Sequence, residues 1–239
     1  LVIVGVNRHE WNPKTGRCIN IDDMISDMNC MKRNNINAVR TCHYPNNSLW
    51  YKLCDEYGIY LIDETNLETH GTWQKLGATE PSWNIPGSLP KWKDAVLDRA
   101  KSMYERDKNH ASVLIWSCGN ESYCGEDIAA MSEYLRSVDS TRLVHYEGVT
   151  RVPDNKYDYI TDMESRMYAK PQEIEEYLKQ NTGRPYISCE YMHAMGNSLG
   201  GMSLYIDLED KYEAYQGGFI WDYIDQAIET KNDDGQTVL

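Results

Sequence analysis

The chain has little positive charge and no long apolar run. It carries 24 Lys and Arg residues against 37 Asp and Glu, a formal net charge of -13. Nucleic acids and anionic membranes are bound through basic patches, so neither is expected as a partner. A membrane-spanning helix needs about 18 consecutive apolar residues, and the sequence contains no such run. With 41% hydrophobic and 26% charged residues, the composition is that of an ordinary globular protein.

The sequence also lacks a CxxC pair, and its cysteine count is odd. A zinc knuckle needs paired spacing and is therefore not expected. Most of the cysteines lie among apolar residues, where a thiol packs as a small hydrophobic side chain. The pattern predicts free thiols in a reduced, cytoplasmic setting. The seven are Cys18, Cys30, Cys42, Cys54, Cys118, Cys124 and Cys189.

Phenylalanine is nearly absent, with one Phe against 18 Tyr and 7 Trp. Aromatic rings with polar tips suit carbohydrate surfaces, but they also pack well in cores. This composition therefore does not by itself separate a sugar site from a core.

The chain opens with LVIVGV, without an initiator Met or a basic region of the kind that precedes a signal peptide. We interpret it as a fragment of a longer chain. Its 239 residues suffice for one large domain. Because no linker or composition shift is visible, we predict a single domain over residues 1–239.

Eight strand-like segments alternate with helix-like ones along the chain. One strand per 30 residues or so is the size of a βα unit, and the alternation predicts a parallel sheet. We therefore predict an α/β fold, a (β/α)8 TIM barrel. The predicted strands are Val2–Val6, Ala38–Thr41, Ile59–Asp63, Val113–Ser117, Leu143–Tyr146, Tyr159–Met163, Tyr186–Cys189 and Gly218–Asp222.

Amphipathic spacing predicts helices over Asp22–Asn34, Ser48–Gly58 and Trp92–Asp107, and another around Ile128–Val138. The Gly- and Pro-rich segment Glu68–Pro90 shows no period and is predicted to be a long, functional loop. The short polar segment after the last strand is expected to hold an incomplete final helix.

Polar residues follow nearly every predicted strand. The carboxyl ends of the strands of such a barrel carry its chemistry, and polar groups that abut buried strands need a partner or a task. Glu121 follows the fourth strand and Glu190 the seventh, so both can reach a sugar held over the barrel axis. Two carboxylates in this arrangement indicate glycoside hydrolysis. The residues alone do not say which of the two is the acid.

Six ordered motifs resemble the catalytic barrel of family 2 glycoside hydrolases, specifically β-galactosidases of the large bacterial lactose-cleaving type. The resemblance extends over essentially the whole chain. The motifs are GVNRHE (Gly5–Glu10), NAVRTCHYPNN (Asn37–Asn47), LWYKLCDEYGIYLIDETNLETHG (Leu49–Gly71), RDKNHASVLIWSCGNES (Arg106–Ser122), CEYMHAMGNSLGG (Cys189–Gly201) and QGGFIWDYIDQ (Gln216–Gln226).

The resemblance implies a retaining enzyme that cleaves terminal β-galactosides such as lactose by double displacement. It makes Glu121 the acid/base, Glu190 the nucleophile, Tyr168 the contact of that nucleophile, and His9 a residue that favours the transition state. The implied sugar contacts are Asn120, His43, His193 and Trp221, and the implied Mg²⁺ ligands are Glu68, His70 and Glu121. Carboxylate oxygens suit Mg²⁺.

The chain departs from the family pattern at Trp11-Asn12-Pro13, where well-known relatives carry two further His, and also at Cys42 and Asn46-Asn47. The family's flanking β-sandwich domains, one of which supplies an Asp and an Asn for galactose and a Na⁺, are absent from the chain. We expect the full-length protein to be a homo-oligomer.

Three alternatives stay open at this point. β-Glucuronidases and β-mannosidases share the barrel and the Asn-Glu pair, although the ETHG, EYMHAMGN and Trp-Asp segments favour a galactosidase. A metal-dependent amidohydrolase uses a paired HxH after the first strand, whereas His9 stands alone. The third alternative is an inactive fragment that binds sugar without cleaving it.

Overall fold

The computed structural model describes residues 2–74 and 84–239, in which eight parallel strands form a nearly closed barrel. The predicted barrel is thus confirmed. The hydrogen-bonded order is β5-β4-β3-β2-β1-β8-β7-β6. The strands are Ile3–Asn7 (β1), Ala38–Arg40 (β2), Tyr60–Glu64 (β3), Val113–Ser117 (β4), Leu143–His145 (β5), Glu164–Met167 (β6), Tyr186–Tyr191 (β7) and Tyr215–Ile220 (β8).

Helices follow most of the strands. Local sequence sets several of their ends: Asn20 and Asp23 form a capping box at the first helix, and Gly58 ends the second in the left-handed conformation at φ 68°. The helices are Ile21–Arg33 (α1), Ser48–Tyr57 (α2), His70–Gln74 (α3), Pro90–Asp107 (α4), Glu126–Val138 (α5), Pro171–Leu178 (α6) and Met202–Lys211 (α7). No helix in residues 2–74 and 84–239 is both long and apolar enough to cross a bilayer.

An apolar layer and a polar layer follow each other along the barrel strands. Seven strands that are neighbours in the sheet, from β4 round to β6, each contribute one residue to the apolar cluster, with Met163 lying just before its strand. The seven residues are Ile3, Ala38, Ile62, Ile115, Met163, Ile187 and Phe219. Alternate residues of a strand share a face, so the residue two positions on points the same way. At that position stand Arg40, Glu64, Ser117 and Ser165, all buried. The two-residue period of the strands therefore places a layer of polar groups directly above this apolar cluster inside the barrel.

The barrel seam lies between β5 and β6, which are the two ends of the strand order. Three short 3₁₀ turns occupy the connection where a helix would stand: Glu147–Arg151, Pro153–Asn155 and Asp158–Ile160. Asp162 joins the seam, because its backbone N–H donates to the Val144 carbonyl (2.9 Å) and its Oδ2 accepts from the Val144 N–H (2.7 Å).

The predicted sixth strand, Tyr159–Met163, is wrong. Ile160 lies in a 3₁₀ turn and is apolar because it packs in the core, while the strand itself begins at Glu164. Glu164 therefore starts β6 and accepts a hydrogen bond from Arg166 (2.6 Å), instead of ending the strand at the site.

The other corrections concern termini and loops. The expected final helix is wrong: Thr230–Lys231 (β9) pairs with Thr237–Val238 (β10) in a hairpin, whose turn Asn232 stabilises by accepting from the Asp234 and Gln236 N–H groups. Within the predicted loop Glu68–Pro90, residues 70–74 form α3, and residues 75–83 lie outside the described residues. The sequence reading also missed α6 and α7.

Candidate active site

Arg40, at the end of β2, is the buried centre of the site. Its Nε and Nη2 donate to the two carboxylate oxygens of Glu64 at 2.7 and 3.0 Å. Nη1 donates to Glu190 Oε1 at 2.8 Å and to Asn7 Oδ1 at 2.9 Å, and Nη2 also reaches Asn120 Oδ1 at 2.7 Å. A guanidinium has five donors in a fixed plane, and here they join strands β1, β2, β3 and β7 to Asn120, which follows β4. The sequence reading missed Arg40 and Glu64, although a charged residue inside the apolar AVR strand was a signal.

Glu190 lies within β7 and is almost fully buried. Its Oε1 accepts from Arg40, and its Oε2 accepts from the Tyr168 hydroxyl at 2.8 Å. Burial and the Glu190 charge raise the pKa of Tyr168 well above its usual range, which keeps the hydroxyl a donor. Both carboxylate oxygens are thus held in place by one strong donor each.

Glu121 follows β4 on an unusual stretch of backbone. Its own φ is 38°, in the left-handed region that bulky residues rarely adopt. Just before it, Gly119 has φ 132°, and a Cβ there would lie 2.7 Å from the Leu67 carbonyl oxygen. Only glycine fits this close approach. The backbone therefore turns sharply enough to present the Glu121 carboxylate beside the loop that follows β3.

Glu147 and Arg151 both contact Glu121. Its N–H donates to the buried Glu147 Oε1 at 2.6 Å, and its Oε1 lies 3.3 Å from Arg151 Nη2. Burial raises the pKa of Glu147 to about 7, even though the Arg151 charge opposes the shift. The sequence reading missed both Glu147 and Arg151.

The predicted metal ligands lie together. Glu68, His70 and Glu121 each offer a ligand atom within 4.8 Å of the others. His70 Nδ1 lies 2.6 Å from Glu68 Oε1 and 3.1 Å from Glu121 Oε2, yet it makes no hydrogen bond of good geometry and is buried. An orphaned nitrogen between two carboxylates fits a cation-binding cluster.

Three rings form one wall of the site. His43 stacks on Trp221 with centroids 5.3 Å apart, and His9 meets both rings edge-on at 5.6 Å. His43 Nδ1 lies 2.9 Å from Glu64 Oε1, and its Nε2 lies 3.4 Å from Asn120 Nδ2. Burial, followed by the charges of His43, Arg17 and Arg40, lowers the pKa of His9 to about 4, so this ring is neutral at pH 7.

His193 is more loosely placed. Its ring centroid lies 6.2 Å from that of Tyr168, its Nδ1 lies 3.3 Å from Ser198 Oγ, and the residue is exposed. It therefore stands at the rim beside Tyr168, outside the buried network around Arg40.

A buried relay, meaning a chain of hydrogen-bonded side chains, continues beneath these groups. Ser117 donates to Glu64 Oε2 (2.8 Å) and lies 3.1 Å from His145 Nδ1, while His145 Nε2 lies 2.8 Å from Ser165 Oγ. Burial alone would raise the pKa of Glu64, but the Arg40 charge and the His43 hydrogen bond hold it at about 2. Burial and the Arg40 charge lower the pKa of His145 to about 3. The relay therefore carries one ionised carboxylate and a neutral imidazole.

The predicted residues thus meet in connected groups at the carboxyl ends of the strands. Glu190 pairs with Tyr168; Glu121 with Glu68 and His70; His9 with His43 and Trp221. Arg40 links the first group to Asn120, which precedes Glu121. Such an arrangement offers two carboxylates, a ring surface and a cation-binding cluster at one end of the barrel, which are the parts that glycoside cleavage needs.

Comparison with known proteins supports this chemistry. The family model described as "Glycosyl hydrolases family 2, TIM barrel domain" matches residues 1–239. The chain is 67% identical over 240 residues to a β-galactosidase of Clostridium acetobutylicum, covering 100% of this chain and 26% of that protein. It is 63% identical to a β-galactosidase large subunit of Leuconostoc lactis, covering 95% of this chain and 36% of that subunit.

Solved structures share the fold. A β-glucuronidase of Ruminococcus gnavus superposes with a TM-score of 0.78 at 21% identity, covering 97% of this chain and 46% of that one. At that identity the likeness shows the fold alone. The chain spans about a quarter to a third of the length of the curated relatives named above.

Proposed function

This chain belongs to glycosyl hydrolase family 2, and we propose that the protein containing it is a retaining β-galactosidase. The observation that carries the proposal is the 67% identity to a β-galactosidase over the whole chain, joined to a nucleophile-like glutamate that two strong donors hold. The substrate is a terminal β-D-galactoside such as lactose. The family excludes an amidohydrolase.

Glu190 is the nucleophile in this proposal. Its carboxylate attacks the anomeric carbon and forms a covalent galactosyl-enzyme. Arg40 and Tyr168 hold the two carboxylate oxygens so that a lone pair on one of them faces the sugar. As negative charge leaves the carboxylate in the transition state, the same two donors fix its geometry without reorganisation.

Glu121 is the acid/base. It donates a proton to the leaving oxygen in the first half-reaction and takes one from water, or from an acceptor sugar, in the second. Glu147 accepts the Glu121 N–H and so holds the strained turn that presents this carboxyl group. His9 favours the transition state. The sugar is bound by Asn120, His43, His193 and Trp221, because imidazole and indole rings offer both apolar contact and polar tips.

The cation-binding cluster is proposed to hold Mg²⁺ through Glu68, His70 and Glu121. Two carboxylates and an imidazole leave room for the several waters that Mg²⁺ usually keeps. When bound, the ion supplies positive charge beside Glu121. Full sugar recognition, including a Na⁺ site and homo-oligomer formation, is proposed to depend on other parts of the intact protein.

The test is a substrate panel on the intact protein. Aryl β-galactosides, β-glucuronides and β-mannosides are compared, and the anomer released first is read by proton NMR. We expect cleavage of the galactoside with initial release of the β-anomer. A preference for either other sugar, or release of the α-anomer, would contradict the proposal. The isolated barrel, assayed beside the intact protein, is expected to be much less active.

Labelling identifies the nucleophile. A 2-deoxy-2-fluoro galactosyl reagent is expected to mark the peptide that contains Glu190. Glu213 is the matched control, because it is exposed and lies just before β8, at the end of the barrel opposite to the site. Glu190→Gln should abolish labelling, whereas Glu213→Gln should leave it unchanged.

A further inference from the structure

A second cluster of metal-binding side chains lies in the ring wall. His9, Cys42 and His43 each offer a ligand atom within 4.8 Å of the others. Cys42 is fully buried and His43 nearly so. The family resemblance makes His43 a sugar contact and His9 a residue that favours the transition state, and it gives Cys42 no role.

One histidine of the cluster is held by a carboxylate. Glu64 accepts from Arg40 through both oxygens, and its Oε1 lies 2.9 Å from His43 Nδ1, so the Nδ1 proton points to this carboxylate. The lone pair then sits on Nε2, which lies 3.4 Å from Asn120 Nδ2 and 3.7 Å from Glu68 Oε2, so an ion at this nitrogen displaces the Asn120 contact. A carboxylate that holds the far nitrogen of a histidine is the usual support of a metal-binding imidazole.

His9 has a similar support. Its Nδ1 lies 3.2 Å from the Tyr44 hydroxyl, which also accepts the Glu10 N–H at 3.1 Å. The tautomer that binds a metal through Nε2 is the one in which Nδ1 donates to the Tyr44 oxygen. The Trp221 ring packs against both histidines and limits their rotation.

We propose that His9, Cys42 and His43 form a site for Zn²⁺ that excludes the sugar. Two imidazoles and a thiolate suit zinc, whereas Mg²⁺ prefers oxygen. Binding converts the Cys42 thiol to a zinc thiolate and releases one proton to solvent, so charge and atoms balance. The fourth position faces the cavity and takes water.

The distances set the strength of this site. Zn–N bonds of about 2.0 Å and a Zn–S bond of about 2.3 Å in a tetrahedron place ligand atoms roughly 3.3 to 3.6 Å apart. The side chains must therefore close on the ion from separations of up to 4.8 Å. The charges around Cys42 are mixed: Glu64, Glu190 and Asp222 favour a cation there, and the Arg40 guanidinium opposes it. We infer a reversible inhibitory site rather than a structural one.

Zinc binding itself does not depend on the proposed β-galactosidase activity, but its inhibition does. Co²⁺ serves as the probe, added to the intact protein in excess Mg²⁺. A thiolate ligand gives Co²⁺ an intense near-ultraviolet charge-transfer band, which the oxygen and imidazole donors of the Glu68, His70 and Glu121 cluster cannot produce.

The expected result is a charge-transfer band that Zn²⁺ removes by displacement. Cys42→Ser should abolish the band, and His9→Gln should weaken Co²⁺ binding on the order of 10- to 100-fold. Cys18→Ser and Cys30→Ser, which alter exposed thiols, should retain it. A parent protein without the band, or a Cys42→Ser variant that keeps it while folded by thermal unfolding, overturns the site.

Kinetics then test whether the ion excludes sugar. Zn²⁺ should raise KM for an aryl β-galactoside without lowering kcat, and about tenfold more Zn²⁺ should be needed in Cys42→Ser. A cobalt band with no change in KM overturns the exclusion. A protein that shows the band but cleaves no galactoside refutes the proposed function and leaves the metal site standing.

Discussion

Arg40 Nη1 lies 2.8 Å from Glu190 Oε1 at a separation of 150 residues along the chain, and both side chains are buried. The same guanidinium also holds Glu64 and Asn120. A buried cation with two carboxylate partners positions them only while all three are present, because removal of one leaves an unpaired buried charge. The pair therefore couples the stability of the barrel to the geometry of its proposed nucleophile.

Arg40→Lys is expected to lower both the stability of the barrel and the activity of the site. An ammonium has three donors and no planar fork, so it cannot reach Asn7, Glu64, Asn120 and Glu190 together. We expect a loss of roughly 3 to 5 kcal/mol in unfolding free energy and at least a hundredfold loss in kcat/KM. Chemical denaturation and aryl galactoside kinetics of the intact protein measure these effects. Arg33→Lys on the exposed end of α1 is the control, and equal behaviour of the two variants would contradict the central role of Arg40.

Tyr168→Phe separates positioning from stability. The hydroxyl donates to Glu190 Oε2 at 2.8 Å, while the residue as a whole is 44% exposed. Removing one donor of this kind from an active site costs about 10²–10³ in kcat, and we expect little change in thermal unfolding. Tyr159→Phe, at another exposed tyrosine, should leave kcat unchanged. A Tyr168→Phe enzyme with full kcat would reject the contact as functional.

Glu121→Gln tests the acid/base assignment through the leaving group. Substrates with poor leaving groups need the proton, and activated aryl galactosides do not. We expect kcat/KM to fall far more for the former, while Glu190→Gln abolishes turnover of both. Steady-state kinetics on a series of aryl galactosides gives the dependence. A uniform loss across the series would count against Glu121 as the proton donor.

His70→Ala tests the proposed Mg²⁺ ligands. The orphaned His70 Nδ1 lies between Glu68 and Glu121, so its loss should weaken Mg²⁺ binding on the order of 10- to 100-fold. Isothermal titration with Mg²⁺ provides a readout apart from activity. His110→Ala, whose ring pairs with Asp55 elsewhere, is the control. An unchanged Mg²⁺ affinity would reject His70 as a ligand.

His145 should make the barrel sensitive to mild acid. Its folded pKa of about 3 lies below the value of about 6.5 of an exposed histidine. As the pH falls below 6.5, His145 binds a proton in the unfolded chain but not in the folded one. The free energy of unfolding therefore falls from pH 6.5 down to 3. His145→Gln cannot titrate and can still bridge Ser117 and Ser165. Thermal unfolding at pH 7.5 and 5.5 should show a smaller loss in this variant, and an equal loss in both proteins would contradict the buried neutral ring.

The positions of Glu121, Glu190 and the ring wall were predictable because short motifs carry them. Glu121 follows β4 and Glu190 lies near the end of β7, and such strands end at one face of a barrel. Arg40 and Glu64 were missed because their partners lie far away along the chain, and these same distant contacts make them important to the site. Inside a strand, a charged residue gives no local sign of which distant side chain neutralises it.

The sequence by itself determined the alternation of strands and helices, and with it the barrel and the end of the barrel that bears the polar groups. The errors fell where packing outweighs pattern: Ile160 is apolar because it enters the core from a turn, not from a strand. Only the tertiary structure decided that Arg40 joins Glu190 to Asn120, that His145 is buried without charge, and that Cys42 meets two histidines. These relations arise from contacts between strands far apart in the chain, which local periodicity does not encode.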